Sequence, residues 1–183
     1  MHAHNNITEY SIEQYAQFLE ELMNTYGNEL TFLAYSYLKN IEDSKDIVQN
    51  VFVSAYQNLE RLQSKEYVKT WLFRVTINKC KDHLKSSFVK RIVLLGTNPE
   101  SEEKAASLDK EMMEKEIAYS IRKAVFKLRV RYREVIMMKF FQDLSIKEIA
   151  EILNLPEATV HTRLRRAKEQ LGPILEQEVF TNE

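Results

Sequence analysis

Glycine and proline are scarce in this chain. Its 183 residues include three glycines and three prolines, whereas a fold rich in hairpins uses these two residues at many of its tight turns. Residues of high helix propensity, such as Leu, Glu, Lys and Ala, are abundant instead. The composition therefore predicts an all-α fold and argues against β-sandwiches and barrels.

A single cysteine, Cys80, excludes an intramolecular disulfide, and so little cysteine is typical of proteins from reducing compartments. The first residues, MHAHNNITEYSIEQ, lack the basic start and apolar core of a secretory signal. No apolar run approaches the ~18 residues that a transmembrane helix needs. We therefore expect a cytoplasmic protein that does not insert into membranes.

Motifs typical of enzymes and metal sites are also missing. The sequence contains no P-loop, G-x-G-x-x-G or H-E-x-x-H string, and three scattered glycines cannot form a phosphate-binding loop. His2 and His4 have no companions at metal-ligand spacing, and Cys80 falls on an apolar helix face. We expect neither catalysis nor a bound cofactor or metal.

The net charge of −1 conceals alternating blocks of opposite sign. Residues 60–91 contain nine basic and three acidic side chains, and residues 121–171 contain twelve basic and six acidic ones. The segments between and around them, 1–59, 98–118 and 172–183, are acidic. Basic blocks are as consistent with solvated helix faces as with nucleic-acid binding. The spacing of residues within the blocks has to distinguish these two interpretations.

Apolar periodicity divides the chain into helices. Residues 12–38 have apolar side chains at helical spacing, interrupted at Gly27 and Asn28, where we expect one helix to end and another to begin. Further helices are predicted over about 44–62 and 68–86. The predicted division is a first small domain at 10–88, a flexible acidic linker at 89–117 and a second small domain at 118–173.

The second domain contains a pattern typical of a helix-turn-helix, at about residues 145–166. Ser145 and Glu148 form an S-x-x-E capping box, which indicates the start of a short helix. Residues 154–156, Asn-Leu-Pro, are predicted to form the turn, with the proline at the edge of the next helix. In a helix-turn-helix, that next helix enters the major groove of DNA.

The second helix of this motif is expected to extend from about Glu157 to Leu171 and to end at Gly172 and Pro173. Its apolar side should pack on the first helix, while hydroxyl and basic side chains on the remaining surface suit phosphate and base-edge contacts. A solvated basic helix without DNA contacts is the alternative. The predicted DNA-binding residues are Glu157, Thr159, His161, Thr162, Arg163, Arg165 and Arg166.

The string LSIKEIAEILNLPEATVHTRLRRAKEQL resembles the final conserved region of the sigma-70 family, in its extracytoplasmic-function (ECF) branch. The resemblance implies that this segment reads the −35 promoter element. Family members usually have Gly where this chain has Ala158, and Lys where it has His161. Because histidine is mostly neutral at pH 7, the contact made by His161 is expected to be weaker or differently tuned.

Two strings in the first domain resemble the same family. EDSKDIVQNVF is similar to the helix of sigma factors that binds core RNA polymerase, which implies core contacts by Asp46, Gln49, Asn50 and Phe52. KTWLFRVTINKCKDHLK is similar to the −10 recognition helix, in which we interpret Trp71 as a core residue. The resemblance implies contacts to −10 DNA from Tyr67, Lys69, Arg74, Asn78, Lys81 and Lys85.

The resemblance covers about residues 15–86 and 118–171. It implies an alternative sigma factor, of the kind used in stress responses, that binds the β′ and β subunits of core RNA polymerase, double-stranded promoter DNA and the melted −10 strand. It also implies an anti-sigma factor as a further partner. Two alternatives are a helix-turn-helix regulator that acts without being a polymerase subunit, and a structural helical adaptor. The first leaves EDSKDIVQNVF unexplained, and the two basic helices argue against the second.

Overall fold

The computed structural model of the protein describes residues 12–62, 65–95 and 116–180. All regular structure in these ranges is helical, so the all-α prediction is confirmed. None of the helices in these ranges has the length and apolar character needed to cross a membrane. The elements are α1 (Ile12–Leu38), α2 (Ile41–Tyr56), α3 (Leu59–Leu62), α4 (Lys65–Leu95), α5 (Glu116–Lys127), α6 (Val130–Ile136), a π-helical turn (Met137–Phe141), α7 (Ile146–Leu153) and α8 (Glu157–Phe180).

Helix α2 begins earlier than the sequence pattern predicted. The side chain of Asn40 accepts hydrogen bonds from the backbone N–H groups of Glu42 and Asp43, at 2.9 and 3.2 Å. These bonds satisfy donors that the first helical turn leaves free. Ser44, predicted as the start, is buried inside the helix and donates its hydroxyl to the Asn40 carbonyl at 2.5 Å. The helix ends at Tyr56, before the separate short α3.

Helix α1 runs without a break through Gly27, so the predicted interruption there was wrong. A glycine within a helix costs only ~1 kcal/mol. Leu22, Leu30 and Leu33, on both sides of it, are fully or almost fully buried. Because the burial of each such leucine contributes about 1.5–3 kcal/mol, the packing of α1 outweighs the low helix propensity of its glycine.

Helix α8 also continues past its predicted end at Gly172 and Pro173, and that prediction was wrong as well. Proline lacks a backbone N–H and disrupts the preceding turn. However, Leu171 and Ile174 flank the two residues and pack against the hydrophobic core. These tertiary contacts keep the chain helical to Phe180.

The predicted capping box and turn of the helix-turn-helix are both present. The Ser145 hydroxyl accepts from the backbone N–H of Glu148, and the Glu148 carboxylate accepts from the Ser145 N–H at 2.7 Å. Hydrogen bonds from Ser145 hold the pKa of Glu148 below its usual value. At the other end of α7, Asn154 adopts a left-handed conformation (φ 53°, ψ 53°), which asparagine tolerates better than most residues. The Pro156 carbonyl then accepts the first hydrogen bonds of α8.

We expect Ser145→Ala to lower the free energy of unfolding by about 1 kcal/mol, because it removes the N-cap acceptor of α7 and leaves Glu148 without its partner hydroxyl. Urea denaturation followed by circular dichroism measures the loss. Ser145→Thr keeps both the acceptor for the Glu148 N–H and the hydroxyl that donates to the Glu148 carboxylate, so it should recover most of the stability. Equal stability of the alanine variant and the parent would contradict a stabilising capping box.

The N-terminal half (α1–α4) and the C-terminal half (α5–α8, with the π-helical turn) pack against each other. α1 contacts α6, and α4 contacts α7. The Phe32 ring of α1 lies 6.4 Å from that of Phe126 and 5.7 Å from that of Phe141. One continuous cluster of buried apolar side chains therefore joins the halves. The sequence pattern did not predict this packing.

The range predicted as a linker, residues 89–117, is partly helical. α4 extends to Leu95, and α5 begins at Glu116. The part of the predicted linker between these helices lies outside the described residues. The described helices thus extend into both ends of the range that composition alone marked as irregular.

Candidate functional site

An apolar groove of about 500 Å³ lies between α1 and α2. Three of its apolar side chains, Met23, Val53 and Tyr56, are 49–57% exposed. Apolar side chains grouped in a concave surface are typical of an interaction site. The groove is lined by Leu19, Met23, Gly27, Thr31, Lys45, Val48, Gln49, Phe52, Val53 and Tyr56.

The residues predicted to bind core polymerase lie on or beside this groove. Asp46, Gln49 and Asn50 are exposed on α2, and Gln49 lines the groove. The Asn50 side-chain amide donates to the Asp46 carbonyl at 2.9 Å. Phe52 is only 6% exposed, so it belongs to the core and contributes its edge to the groove wall.

Sequence reasoning missed three exposed members of the groove, Met23, Val53 and Tyr56. Val53 offers a signal in the sequence, since it is a β-branched residue outside the buried stripe of its helix. Met23 offers none, because it reaches the groove only through the packing of α1 against α2.

The residues predicted to bind −10 DNA are spread along α4. Tyr67 is 61% exposed, and Asn78 and Lys85 are also exposed. Lys81 is half-buried. The Lys85 ammonium lies 3.8 Å from the Asp82 carboxylate in an exposed pair, which contributes little to stability. These four predicted residues are accessible, whereas two further ones contact the C-terminal half.

Lys69 and Arg74 both reach from α4 to the helix-turn-helix. The Lys69 ammonium donates to the Gln142 carbonyl at 3.2 Å. The Arg74 guanidinium donates to the Glu151 carbonyl at 3.0 Å and to its carboxylate at 3.1 Å. That carbonyl is near the C-terminal end of α7, where a cation is favoured by free carbonyl groups and the helix dipole.

The first half of α8 has the amphipathic character that its sequence predicted. Val160, Leu164 and Ala167 are buried. Thr162 donates its hydroxyl to the Ala158 carbonyl at 2.9 Å. The predicted DNA-binding residues on the solvent side are Glu157, His161, Thr162, Arg165 and Arg166, with Thr159 half-buried at the margin.

Arg163 differs from its neighbours because its side chain points inward. Its guanidinium donates to a Glu134 carboxylate oxygen at 2.6 Å, and these side chains are 24% and 5% exposed respectively. The other Glu134 oxygen accepts a hydrogen bond of 2.5 Å from the Tyr37 hydroxyl, which lies in α1. Burial, followed by the Glu134 charge, raises the pKa of Tyr37 well above its usual value. Tyr37 is therefore a protonated donor at neutral pH.

The buried Cys80 lies on the apolar side of α4, as its position in the sequence predicted. Burial raises the pKa of its thiol to about 12, so the reactive thiolate is suppressed at neutral pH. Trp71 is partly buried and packs against the same core. Within the described ranges, no three His, Cys, Asp or Glu side chains converge as a metal site.

Comparison with known proteins places the two halves in a family. The family models for "Sigma-70 region 2" and "Sigma-70, region 4" match residues 22–87 and 119–171. The chain is 30% identical over 168 residues to the ECF RNA polymerase sigma factor SigW of Bacillus subtilis, covering 82% of this chain and 85% of that protein. The chain belongs to the sigma-70 family.

Further relatives agree with this assignment. RNA polymerase sigma factor SigV of Bacillus subtilis is 32% identical over 135 residues, covering 74% of this chain and 77% of that protein. The fold is similar to that of the sigma factor RpoE, solved in complex with the anti-sigma factor NepR from Bartonella quintana. The TM-score is 0.74 at 21% identity, over 87% of this chain and 97% of that one.

Region 2 of this sigma factor includes the α1–α2 groove and most of α4, and region 4 includes α5 to α7 with the first part of α8. The contacts of Lys69 and Arg74 therefore join region 2 to the helix-turn-helix of region 4. Glu134, a residue of region 4, is bonded to both regions at once.

Proposed function

We propose that this ECF-type sigma factor binds core RNA polymerase through the α1–α2 groove and directs promoter-specific initiation. The observation that carries the proposal is the coincidence of the groove with the region 2 match and with the polar edge formed by Asp46, Gln49 and Asn50. An apolar centre with a polar rim is the usual anatomy of a protein–protein interface. The partner surface is that of the β′ subunit, with β contributing elsewhere.

The two promoter elements are assigned to separate helices. The exposed residues of α4, among them Tyr67, Asn78 and Lys85, face the melted −10 strand, where an exposed aromatic ring offers a stacking surface for a base. The start of α8, with His161, Thr162 and Arg165, faces the −35 duplex. The contribution of Arg163 depends on its release from Glu134.

Region 2 and region 4 must separate to read both elements. Two elements about two helical turns apart are separated by roughly 70 Å, yet Arg74 of α4 and Glu151 of α7 are 3.1 Å apart in this structure. Polymerase supplies the separation and holds both domains on one DNA, so that their modest affinities combine through effective concentration. Free protein then binds promoter DNA poorly.

The remaining partners follow from the family. RpoE of Bartonella quintana was solved with an anti-sigma factor, and we extend such a partner to this chain, where it would cover the groove and the DNA-facing helices. The chemistry of RNA synthesis belongs to polymerase, so the chain itself performs no catalysis and needs no cofactor. Its place of action is the cytoplasm, where polymerase and promoter DNA are found.

Reconstitution with purified core polymerase tests the proposal. Pull-down of core by the tagged chain, followed by run-off transcription from genomic fragments, should give transcripts that depend on both components. Tight, specific promoter binding by the chain alone at physiological salt, without capture of core, would instead favour a helix-turn-helix regulator that is not a polymerase subunit. The β′ and β subunits can be identified in the captured material by mass spectrometry.

His161→Lys should strengthen −35 binding by holoenzyme, because it adds a fixed positive charge at an exposed position near the start of α8. We expect the slope of log affinity against log salt to steepen by about one unit. Fluorescence anisotropy of a labelled promoter over a salt series measures it. His161→Gln, which adds no charge, is the control. Identical slopes for the lysine and glutamine variants would show that position 161 lies away from the phosphates.

A further inference from the structure

Three cations predicted to bind DNA are hydrogen-bonded to other residues of the protein instead. Lys69 and Arg74 bond to the helix-turn-helix across the boundary between the halves. Arg163 bonds to Glu134 within region 4. In this structure each of these groups donates hydrogen bonds to oxygen atoms of the protein. In a DNA-bound protein the same groups would donate to phosphates or bases. The packed arrangement therefore competes with DNA for the same donors.

Glu134 links the packing of the two halves to the position of Arg163, because it is bonded to a residue of region 2 and to Arg163. Its two carboxylate oxygens are divided between Tyr37 of region 2 and Arg163 of the recognition helix, at 2.5 and 2.6 Å. With a side chain only 5% exposed, the carboxylate depends on these partners for its solvation. The strength of the Glu134–Arg163 pair thus depends on whether region 2 covers it.

We propose that Tyr37, Glu134 and Arg163 form a latch that holds the two halves closed and withholds Arg163 from DNA until the halves separate. When region 2 leaves, the Glu134 carboxylate loses the Tyr37 hydroxyl and is exposed to water. An ion pair that is strong in a buried site is weak in water, so Arg163 can exchange Glu134 for a phosphate or a base edge. Opening of the halves and release of the arginine are then one event.

The apolar contacts beside the latch give it two defined states. Phe32 packs between rings of the C-terminal half, with the Arg122 guanidinium 5.1 Å from its centroid, and Tyr35 packs on Phe126 at 5.4 Å. Packed side chains of this kind either interdigitate or come apart. Binding of region 2 to polymerase, which rests on the proposed function, supplies the free energy that favours the open state.

Two substitutions separate the two parts of the latch. Tyr37→Phe keeps the ring but removes the hydroxyl, which leaves a Glu134 oxygen without its donor only while the halves are closed. Since a hydrogen bond to a charged group is lost, the open-to-closed ratio should rise on the order of tenfold. Glu134→Gln keeps an acceptor for Tyr37 but removes the ion pair, so it should release Arg163 without opening the halves.

The test uses the full chain without polymerase, so its result does not depend on the proposed function. Small-angle X-ray scattering measures the radius of gyration, about 16 Å for a compact chain of this length, and anisotropy measures binding to a −35 duplex over a salt series. Tyr37→Phe should raise both the radius and the affinity, the latter by up to about tenfold. Glu134→Gln should steepen the salt slope by about one unit at an unchanged radius.

Matched controls remove the same groups elsewhere. Tyr26→Phe deletes a hydroxyl earlier in α1, and Glu42→Gln deletes an exposed charge on α2, so neither should change the radius or the binding. A folded Tyr37→Phe variant with the parent's radius and affinity would overturn the latch. If Tyr37→Phe fails to fold, the Glu134→Gln variant tests the latch. A salt slope of Glu134→Gln equal to that of Glu42→Gln would also overturn the latch. Transcription by the reconstituted holoenzyme tests the proposed function separately.

Discussion

Arg163→Ala should lower the free energy of unfolding by about 3 kcal/mol, more than alanine substitution of an exposed arginine on the same helix. The reason is the partner it leaves behind, because the Glu134 carboxylate is 5% exposed and bonded to Arg163 at 2.6 Å. Removal of one member of a buried ion pair strands a charge in a poorly solvated site, which costs about 3–5 kcal/mol. Urea denaturation followed by circular dichroism measures the loss.

Arg165→Ala is the matched control for this prediction. Arg165 also forms an ion pair at 2.6 Å, with Glu169, but these side chains are 65% and 56% exposed. An exposed pair of this spacing contributes at most about 0.5 kcal/mol. The double variant Glu134→Gln with Arg163→Ala should recover much of the lost stability, since no charge is then left unpaired. Arg163→Ala and Arg165→Ala variants of equal stability would show that Glu134 does not depend on the arginine.

The expected loss of stability changes how a loss of promoter recognition by Arg163→Ala is interpreted. The sequence pattern alone predicts that the substitution removes a DNA contact worth about 1–3 kcal/mol. The structure adds a stability effect of similar or greater size. Arg163→Lys separates the two, because it retains the charge for Glu134 while losing the planar fork of the guanidinium.

Val53→Glu should weaken binding to core polymerase at least about 30-fold. Val53 is 50% exposed and lines the α1–α2 groove, so a glutamate there places a carboxylate in an apolar interface without disturbing the core. Loss of a central interface residue typically costs about 2 kcal/mol or more, which corresponds to about 30-fold in affinity. Surface plasmon resonance with immobilised core measures the change, and a thermal melt verifies that the variant folds.

Val130→Glu provides the matched control for the groove. Val130 is 36% exposed and is the first residue of α6, in the C-terminal half. An acidic side chain at this position is favourable, because it lies at a helix N-terminus. This variant should bind core polymerase as the parent does. Equal affinities of the Val53 and Val130 variants for core would place the docking surface elsewhere on region 2.

The sequence alone predicted those features that depend on residues close together in the chain. The all-α class follows from composition and periodicity, and the Ser145–Glu148 capping box and the turn at Asn154 are determined within a few residues of sequence. The apolar side of α8 follows from the spacing of Val160, Leu164 and Ala167. The family resemblance, confirmed by the two region matches, was likewise contained in short strings.

Only the tertiary structure decided the features that arise between segments distant in the chain. Local propensity placed helix ends at Gly27 and at Gly172, but contacts with other helices carry both helices onward. The groove needs α1 beside α2, and the bond between Tyr37 and Glu134 joins residues 97 positions apart. The sequence did not distinguish Arg163 from its exposed neighbours. Periodicity gives the angle of a side chain around its own helix, but it does not show that a buried carboxylate lies opposite on another helix.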